Sequence, residues 1–467
     1  MLKIERSNGI PIYQQIYAQI KADILSGNLP EGFRMTSTRM LADELRVGRN
    51  SVESAYDQLV LEGYLSAVPG SGYTVNRMEF DLYQEPPQAE KRMADPVKDT
   101  CGRSTIRYSF QYGELGSESF PSKLWRTYAA DMLDEPQAQF VHGYCDVRGD
   151  ERLRQEIGRY LYRSRGVHCE PEQVILCSGT QSALEIIIRL FPNLHSVAME
   201  EPGYNGSRAV FQSHNFQILP VPVGEKGIDI HKLSNTSIPM VYVAPSHQFP
   251  TGAIMPIQSR MELLNLANER DMMILEDDYD SEFRYKGQPI PSLQSIDKGE
   301  RVIYIGTFSK VLSAGLRMAY LVLPKHLLPV YQEKYQGYSC TVPLLEQKVL
   351  ARFMEEGQWE KQLRRVCLAH KKKHDILVSA ITQEMGDRVR LYGRNAGLHL
   401  LLEFTGGQNE RVLLEQALSC GVQVCPASPF WSNKDAYSGN ALVLGYGKIK
   451  AEDILPAVQR LRQAWFG

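Results

Sequence analysis

The stretch Ile305-Gly-Thr-Phe-Ser-Lys310-Val-Leu-Ser-Ala-Gly-Leu-Arg317 follows an apolar run, Arg301-Val-Ile-Tyr-Ile305, that reads as a buried strand. One lysine, two hydroxyls and one arginine then fall on a short loop. A lysine amine can condense with an aldehyde to give a Schiff base. The hydroxyls of Thr307 and Ser309 and the guanidinium of Arg317 can grip phosphate oxygens. The loop therefore suits a phosphorylated aldehyde. A Ser-Lys pair alone says little, and three upstream segments decide the reading.

Ser178-Gly-Thr-Gln-Ser182 follows the apolar run Val174–Cys177 and opens a helical pattern. Gly179, Thr180 and Gln181 there can present N–H groups to an anion at the positive end of a helix; a plain helix cap is the other reading. Glu200-Glu-Pro-Gly-Tyr204 follows the next apolar run. Tyr204 can stack on a planar ring, or can pack as an aromatic on a surface turn. Leu275-Glu-Asp277-Asp278-Tyr279 ends another run. Acids at that end of an open α/β sheet point to its ligand crevice; metal ligation and solvated loop acids are the alternatives. Taken together, the order is phosphate loop, stacking tyrosine, acid for a pyridinium nitrogen, then lysine with arginine. That order points to pyridoxal 5'-phosphate (PLP), whose electron sink a ring-nitrogen carboxylate strengthens.

These groups need a sheet to hold them. From about residue 107, apolar runs at 174–177, 196–199, 240–244, 272–275 and 302–305 alternate with helical patterns such as 181–189 and 257–270. The alternation predicts a mostly parallel α/β sheet covered on both faces. Residues 340–467 read as a smaller α+β lobe. Upstream, residues 77–106 carry adjacent prolines and charges, and read as a linker. In residues 1–76, Ile12, Ile16, Ile20 and Ile24 mark one helix after Pro11. A second fits Thr38–Leu45, capped by Ser37 or Thr36, and a third runs from about Asn50 to Glu62. Two strand-like runs flank Pro69-Gly70-Ser71-Gly72, so three helices and a hairpin predict a winged helix-turn-helix.

With a net charge of -2, and seven Lys/Arg against eight Asp/Glu in residues 1–76, bulk charge does not draw this chain to DNA. Local cations must do so. Arg39 lies on the second helix. Arg49, Asn50 and Ser51 open the third, where a recognition helix meets base edges and phosphates. A solvated arginine face is the alternative. The eight cysteines show no C-x-x-C pair and no zinc spacing with histidine, so no metal is expected and the thiols read as reduced. No apolar run reaches the roughly 20 residues of a membrane helix, and the first residues lack a signal-peptide core. A cytoplasmic protein that avoids membranes is expected.

Residues 107–467 resemble fold type I aminotransferases, through the segments above and through Gly143-Tyr-Cys-Asp-Val-Arg-Gly149 and Pro245-Ser-His-Gln-Phe-Pro-Thr-Gly252. Residues 10–76 resemble a GntR-type winged helix. Joined in this order, the chain resembles the MocR/GabR subfamily of transcription regulators. The resemblance implies a PLP-dependent regulator in which Lys310 carries PLP. Asp277 meets the ring nitrogen, Tyr279 the ring oxygen and Tyr204 the ring face. Gly179, Thr180, Gln181, Thr307, Ser309 and Arg317 surround the phosphate. Thr38, Arg39, Arg49, Asn50, Ser51 and the wing Gly72 contact DNA. It also implies a head-to-tail homodimer, operator DNA with two half-sites, and an amine, amino acid or PLP itself as effector. Phe249 stands where the aminotransferases carry asparagine. Val443 stands where they carry an arginine for the substrate carboxylate, and Gly206 where a relative has another arginine; Arg208, Arg394 and Lys448 are the candidate substitutes. A working aminotransferase with an accessory DNA-binding block is the runner-up, with at most weak turnover expected. A regulator that has lost PLP stands third.

Overall fold

The structure, a computed structural model, describes residues 2–5, 9–68, 72–77, 106–134, 143–285 and 290–467. The chain divides into two compact units, 1–100 and 101–467. The expected linker falls almost wholly on residues 78–105 and the wing turn on 69–71, both outside the described residues.

In the first unit, helices Ile12–Leu25, Thr38–Leu45 and Arg49–Leu61 precede a hairpin of Leu65–Val68 and Gly72–Val75. Its strands run antiparallel, with Leu65 opposite Val75. The isoleucines spaced four apart do what their spacing predicts: Ile16, Ile20 and Ile24 are buried against Leu41, Val52, Ala55, Tyr56 and Leu59. The Ser37 hydroxyl caps the second helix by accepting from the Met40 N–H (3.3 Å), and Arg46 ends it in the left-handed region. The third helix starts at Arg49, one residue earlier than expected, and ends at Leu61. This is a winged helix-turn-helix.

The second unit is built on an eight-stranded sheet. Its order is Val174–Cys177, Ala319–Val322, Val302–Thr307, Met273–Asp278, Met240–Val243, Ser196–Glu201, Gln217–Gly224 and Gly227–Ile228. The expected parallel pairings hold through the centre. Successive residues face opposite sides. Ile303 and Ile305 enter one apolar cluster while Tyr304 enters another, and Ile175 and Leu176 divide likewise. Both faces are covered, so the strands read as unbroken apolar runs.

Two strands run against their neighbours, the short edge strand Gly227–Ile228 and one nearer the other edge. Ala319–Val322 runs antiparallel to both neighbours, pairing Ala319 with Thr307 on one side and with Cys177 on the other. It begins at the edge where its neighbours end. Arg317, just before it, is thereby carried back to the exits of those neighbours.

The smaller lobe holds a four-stranded sheet that includes His399–Phe404 and Ala441–Gly445, paired antiparallel. Against it lie helices such as Gln358–Met385 and Ala451–Phe466. Tyr108–Ser109 pairs with Val422–Gln423, so the first residues of the unit are stitched to this lobe. Helix Leu344–Glu355 packs on helices Ser122–Asp134 and Glu151–Arg165. Among the described residues, no helix is long and apolar enough to cross a membrane.

Candidate functional site

A cavity of about 430 Å³ opens at the C-terminal edge of the parallel strands. All ten residues expected to meet the cofactor line it: Gly179, Thr180, Gln181, Tyr204, Asp277, Tyr279, Thr307, Ser309, Lys310 and Arg317. They come from five chain segments, each at or just beyond a strand end or, for Arg317, just before the reversed strand.

At one end is a cup suited to phosphate. Helix Thr180–Leu190 aims its N-terminus into it, preceded by Gly179 at φ +106°. A Cβ at Gly179 would lie 2.4 Å from Arg317 Nη2, so only glycine lets the guanidinium come this close. Arg317 Nη2 donates to the Ser178 carbonyl (2.8 Å). The Thr307 and Ser309 hydroxyls bond each other (2.9 Å), and the Ser309 N–H donates to Thr307 Oγ1 (3.1 Å).

At the other end is Asp277, buried on a strand with three consecutive acids. The strand's alternation sorts them. Glu276 accepts from the N–H groups of Leu293 (2.7 Å) and Gln294 (3.0 Å). Asp278 pairs with the buried Arg165 (2.7 Å) and accepts from the Tyr304 hydroxyl. Asp277 alone faces the cavity. The Tyr242 hydroxyl donates to its Oδ2, while Oδ1 is buried with no hydrogen-bond partner among the described residues. Burial first, then Asp278 and Asp280, push the Asp277 carboxyl up to about 7 against the Tyr242 bond. Such a carboxylate lacks a cation opposite it. Lys310 is shifted the other way: burial lowers its amine, and Asp280 and Asp277 oppose this. Its Nζ lies 4.2 Å from the ring centre of Tyr112.

The walls are aromatic. Phe249 packs on Tyr112 (4.7 Å between ring centres), Phe430 (4.6 Å) and Tyr204 (6.2 Å). The Tyr279 hydroxyl donates to the His247 carbonyl (2.9 Å), and His247 Nδ1 bonds Asp280 (2.9 Å). Sequence reasoning missed Tyr242, Glu200, Gln111, Tyr112, Asn205 and Phe430, which also line the cavity. Tyr242 sits within an apolar run and looks like core. Gln111 and Tyr112 arrive beside the strand that joins the other lobe, a juxtaposition no local pattern signals.

The substitutes for a carboxylate-binding arginine do not reach the cavity. Arg208 donates to Glu201 Oε2 (3.1 Å) and to the Phe430 carbonyl (3.1 Å). Glu201 in turn accepts from the N–H groups of Ser432 (2.6 Å) and Asn433 (2.9 Å), so the pair anchors the loop carrying Phe430. Lys448 pairs with Glu114, and Arg394 lies at a separate groove. Val443 is fully buried with Leu401, Ala427 and Ala441. Among the described residues, Lys310 and Arg317 are the only cations on the cavity lining.

In the first unit, Arg39, Arg49 and Asn50 are exposed, Thr38 and Ser51 half-buried, and Gly72 opens the second hairpin strand at φ +94°. Arg49 Nε donates to Glu53 Oε1 (2.8 Å).

Comparison with known proteins matches residues 114–435 to the class I and II aminotransferase family and residues 12–75 to the bacterial regulatory proteins of the gntR family. The chain belongs to the GntR-type transcription regulators of the MocR/GabR kind, which join a winged helix to a PLP fold type I domain. It is 38% identical over 99% of its length, and 98% of the relative's, to the uncharacterized HTH-type transcriptional regulator YdeL of Bacillus subtilis. It is 33% identical over its whole length, and 96% of the relative's, to the probable rhizopine catabolism regulatory protein MocR of Rhizobium meliloti. Among solved structures, the α-aminoadipate aminotransferase LysN of Thermus thermophilus, complexed with N-(5'-phosphopyridoxyl)-L-leucine, superposes with a TM-score of 0.68 at 30% identity. That match covers 76% of this chain and 91% of LysN.

The cofactor of this class is PLP, and the cavity fits it. An unmatched carboxylate oxygen, a glycine cradle beside a guanidinium, and a lysine with a lowered amine are the donors a pyridine aldehyde phosphate requires.

Two outcomes follow. Gly179→Ala should weaken PLP retention at least about tenfold, read from the visible absorbance kept after dialysis, because the new methyl displaces Arg317. Glu200, whose carboxyl burial pushes up to about 8, holds its proton in the folded state long after the unfolded chain loses it. Its contribution to stability therefore falls as pH rises from about 4.5 to about 8. Glu200→Gln removes that fall, so urea titrations of cofactor-free protein should show a flatter pH dependence in the variant than in wild type.

Proposed function

We propose that this chain is a DNA-binding transcription regulator that holds PLP through Lys310 and responds to a small amine, an amino acid or PLP itself. The observation that carries the reading is the convergence of Lys310, Asp277 and the Gly179–Arg317 cup on one cavity, in a chain that also bears a winged helix. When bound, the cofactor supplies an aldehyde on which amines exchange and an electron-withdrawing ring.

The remaining work is done by this chain's own side chains. Burial depresses the Lys310 amine, which favours the uncharged Nζ that a nucleophile needs. Asp277 Oδ1 would accept the ring N–H, and Tyr242 fixes the carboxylate by holding Oδ2. Tyr204 would cover the ring face, and Tyr279, whose hydroxyl donates to the His247 carbonyl in this structure, would turn that proton to the ring oxygen. Gly179, Thr180, Gln181, Thr307, Ser309 and Arg317 hold the phosphate.

Sensing is favoured over turnover by the lining. A catalyst for α-amino acids needs a cation to hold the substrate carboxylate through every cycle. Arg208 is committed to Glu201, and Val443 sits in an apolar cluster. A coupled assay with common amino acids and 2-oxoglutarate should give no more than a few turnovers per protein; sustained turnover would make the chain an aminotransferase.

The winged helices read an operator with two half-sites, one per protomer of a head-to-tail dimer in the cytoplasm. Effector binding at the cavity shifts the population of DNA-competent dimers, by no more than its differential affinity for the two states. Thr38, Arg39, Asn50, Ser51 and Gly72 contribute contacts around Arg49. Arg49→Ala should weaken operator binding by about 1–3 kcal/mol in a gel-shift titration. Unchanged affinity would remove Arg49 from the DNA interface.

A further inference from the structure

The solvent face of helix Arg49–Leu61 is not basic. Along it lie Arg49, then Glu53 one turn on, then Asp57 a turn further. Both carboxylates lie close enough to Tyr73, on the second wing strand, for their charges to act on its hydroxyl. Acids on this face repel phosphates, so they weaken any DNA complex in which they gain no partner. The bases offer one. In the major groove cytosine presents the exocyclic N4 amine, a donor that a carboxylate accepts from; guanine presents only acceptors, O6 and N7, and the N6 amine of adenine stands beside the N7 acceptor, which repels a carboxylate.

The ion pair between Arg49 and Glu53 has the geometry for this. It uses Arg49 Nε and Glu53 Oε1 at 2.8 Å, and both side chains are solvent-accessible, at 63% and 37%. The two terminal nitrogens of Arg49 make no hydrogen bond among the described residues. They are free to meet guanine O6 and N7 end-on while the Nε edge stays buttressed. Glu53 keeps its second oxygen open. Four residues of helix advance about 6 Å, and base pairs are spaced about 3.4 Å along a strand. Glu53 therefore falls one or two base pairs from the guanine under Arg49.

We propose that Glu53 is a specificity-determining residue of the DNA interface: it aligns Arg49 on a guanine and requires cytosine at a base within two steps of it. This rests on the reading of Arg49–Leu61 as the recognition helix. The carboxylate acts by selection more than by attraction, because any base that offers no amine there leaves it facing acceptors and phosphates.

The test is selection of sequences from a random double-stranded DNA library by the full-length PLP-loaded protein. Wild type, Glu53→Gln, Glu53→Ala and Arg49→Ala are run in parallel. Arg49→Ala marks the guanine column by abolishing it. Wild type should then show a cytosine column one or two positions away, favoured about tenfold over the other bases. Glu53→Gln should move that preference to adenine, whose N6 and N7 a glutamine amide reads. Glu53→Ala should flatten the column, lower the guanine preference, and raise affinity for unselected DNA. Motifs that are the same in wild type and both Glu53 variants, or a wild-type motif with no cytosine within two base pairs of the guanine, would overturn the proposal. A wild-type protein that enriches no sequence would sink the DNA-reading assignment itself.

Discussion

The pairing that the cavity demands is between Asp277 and a positive charge. Its carboxylate is buried, one oxygen is held by Tyr242, and the other has no hydrogen-bond partner among the described residues. Keeping such a group ionised with no cation opposite it costs about 4 kcal/mol, from the rise of its pKa to about 7. A fold that selected only for stability would replace it with an apolar residue. Aimed into a cavity that also holds Lys310, the unmatched Oδ1 suits a cationic ring nitrogen. The neighbours are arranged so that nothing else satisfies it: Arg165 is committed to Asp278, and the nearest amine rests on the Tyr112 ring.

The reversed strand Ala319–Val322 is the second condition. In a purely parallel sheet the residue before a strand lies at the far edge from the strand exits. Because this strand runs backwards between Val174–Cys177 and Val302–Thr307, Arg317 emerges among the exits, against Gly179. The Gly179–Arg317 end and the Asp277 end of the cavity are thus fixed by one rigid sheet. The aromatic loop that closes it is fixed separately, by the Arg208–Glu201 pair gripping residues 430 to 433.

Much of this was legible in the residue order, for physical reasons. Strands buried on both faces are apolar throughout, so the central strands announced themselves, and loops at their ends carried the reactive residues. The helix Thr38–Leu45 was readable because the Ser37 hydroxyl marks where its backbone needs an acceptor. What stayed hidden has one cause, the lack of a local signature for long-range pairing. The strand at 319–322 was not among the expected runs, and its direction does not show in its composition. Tyr108 pairs with Val422 across most of the unit, and that pairing brings Tyr112 to Lys310. Asp277 and Asp278 look alike in sequence; strand alternation puts one in the site and the other in an ion pair. Arg208 was a reasonable carboxylate binder on type alone, and only its bonds to Glu201 and Phe430 exclude it.

The central claim is that Lys310 is the residue that carries PLP. Borohydride reduction of the protein purified with its cofactor, followed by peptide mass spectrometry, reports the attachment point directly. The account predicts a phosphopyridoxyl mass on the peptide containing Lys310 and on no other. A mark on a different lysine, or none in protein shown to contain PLP, would contradict it.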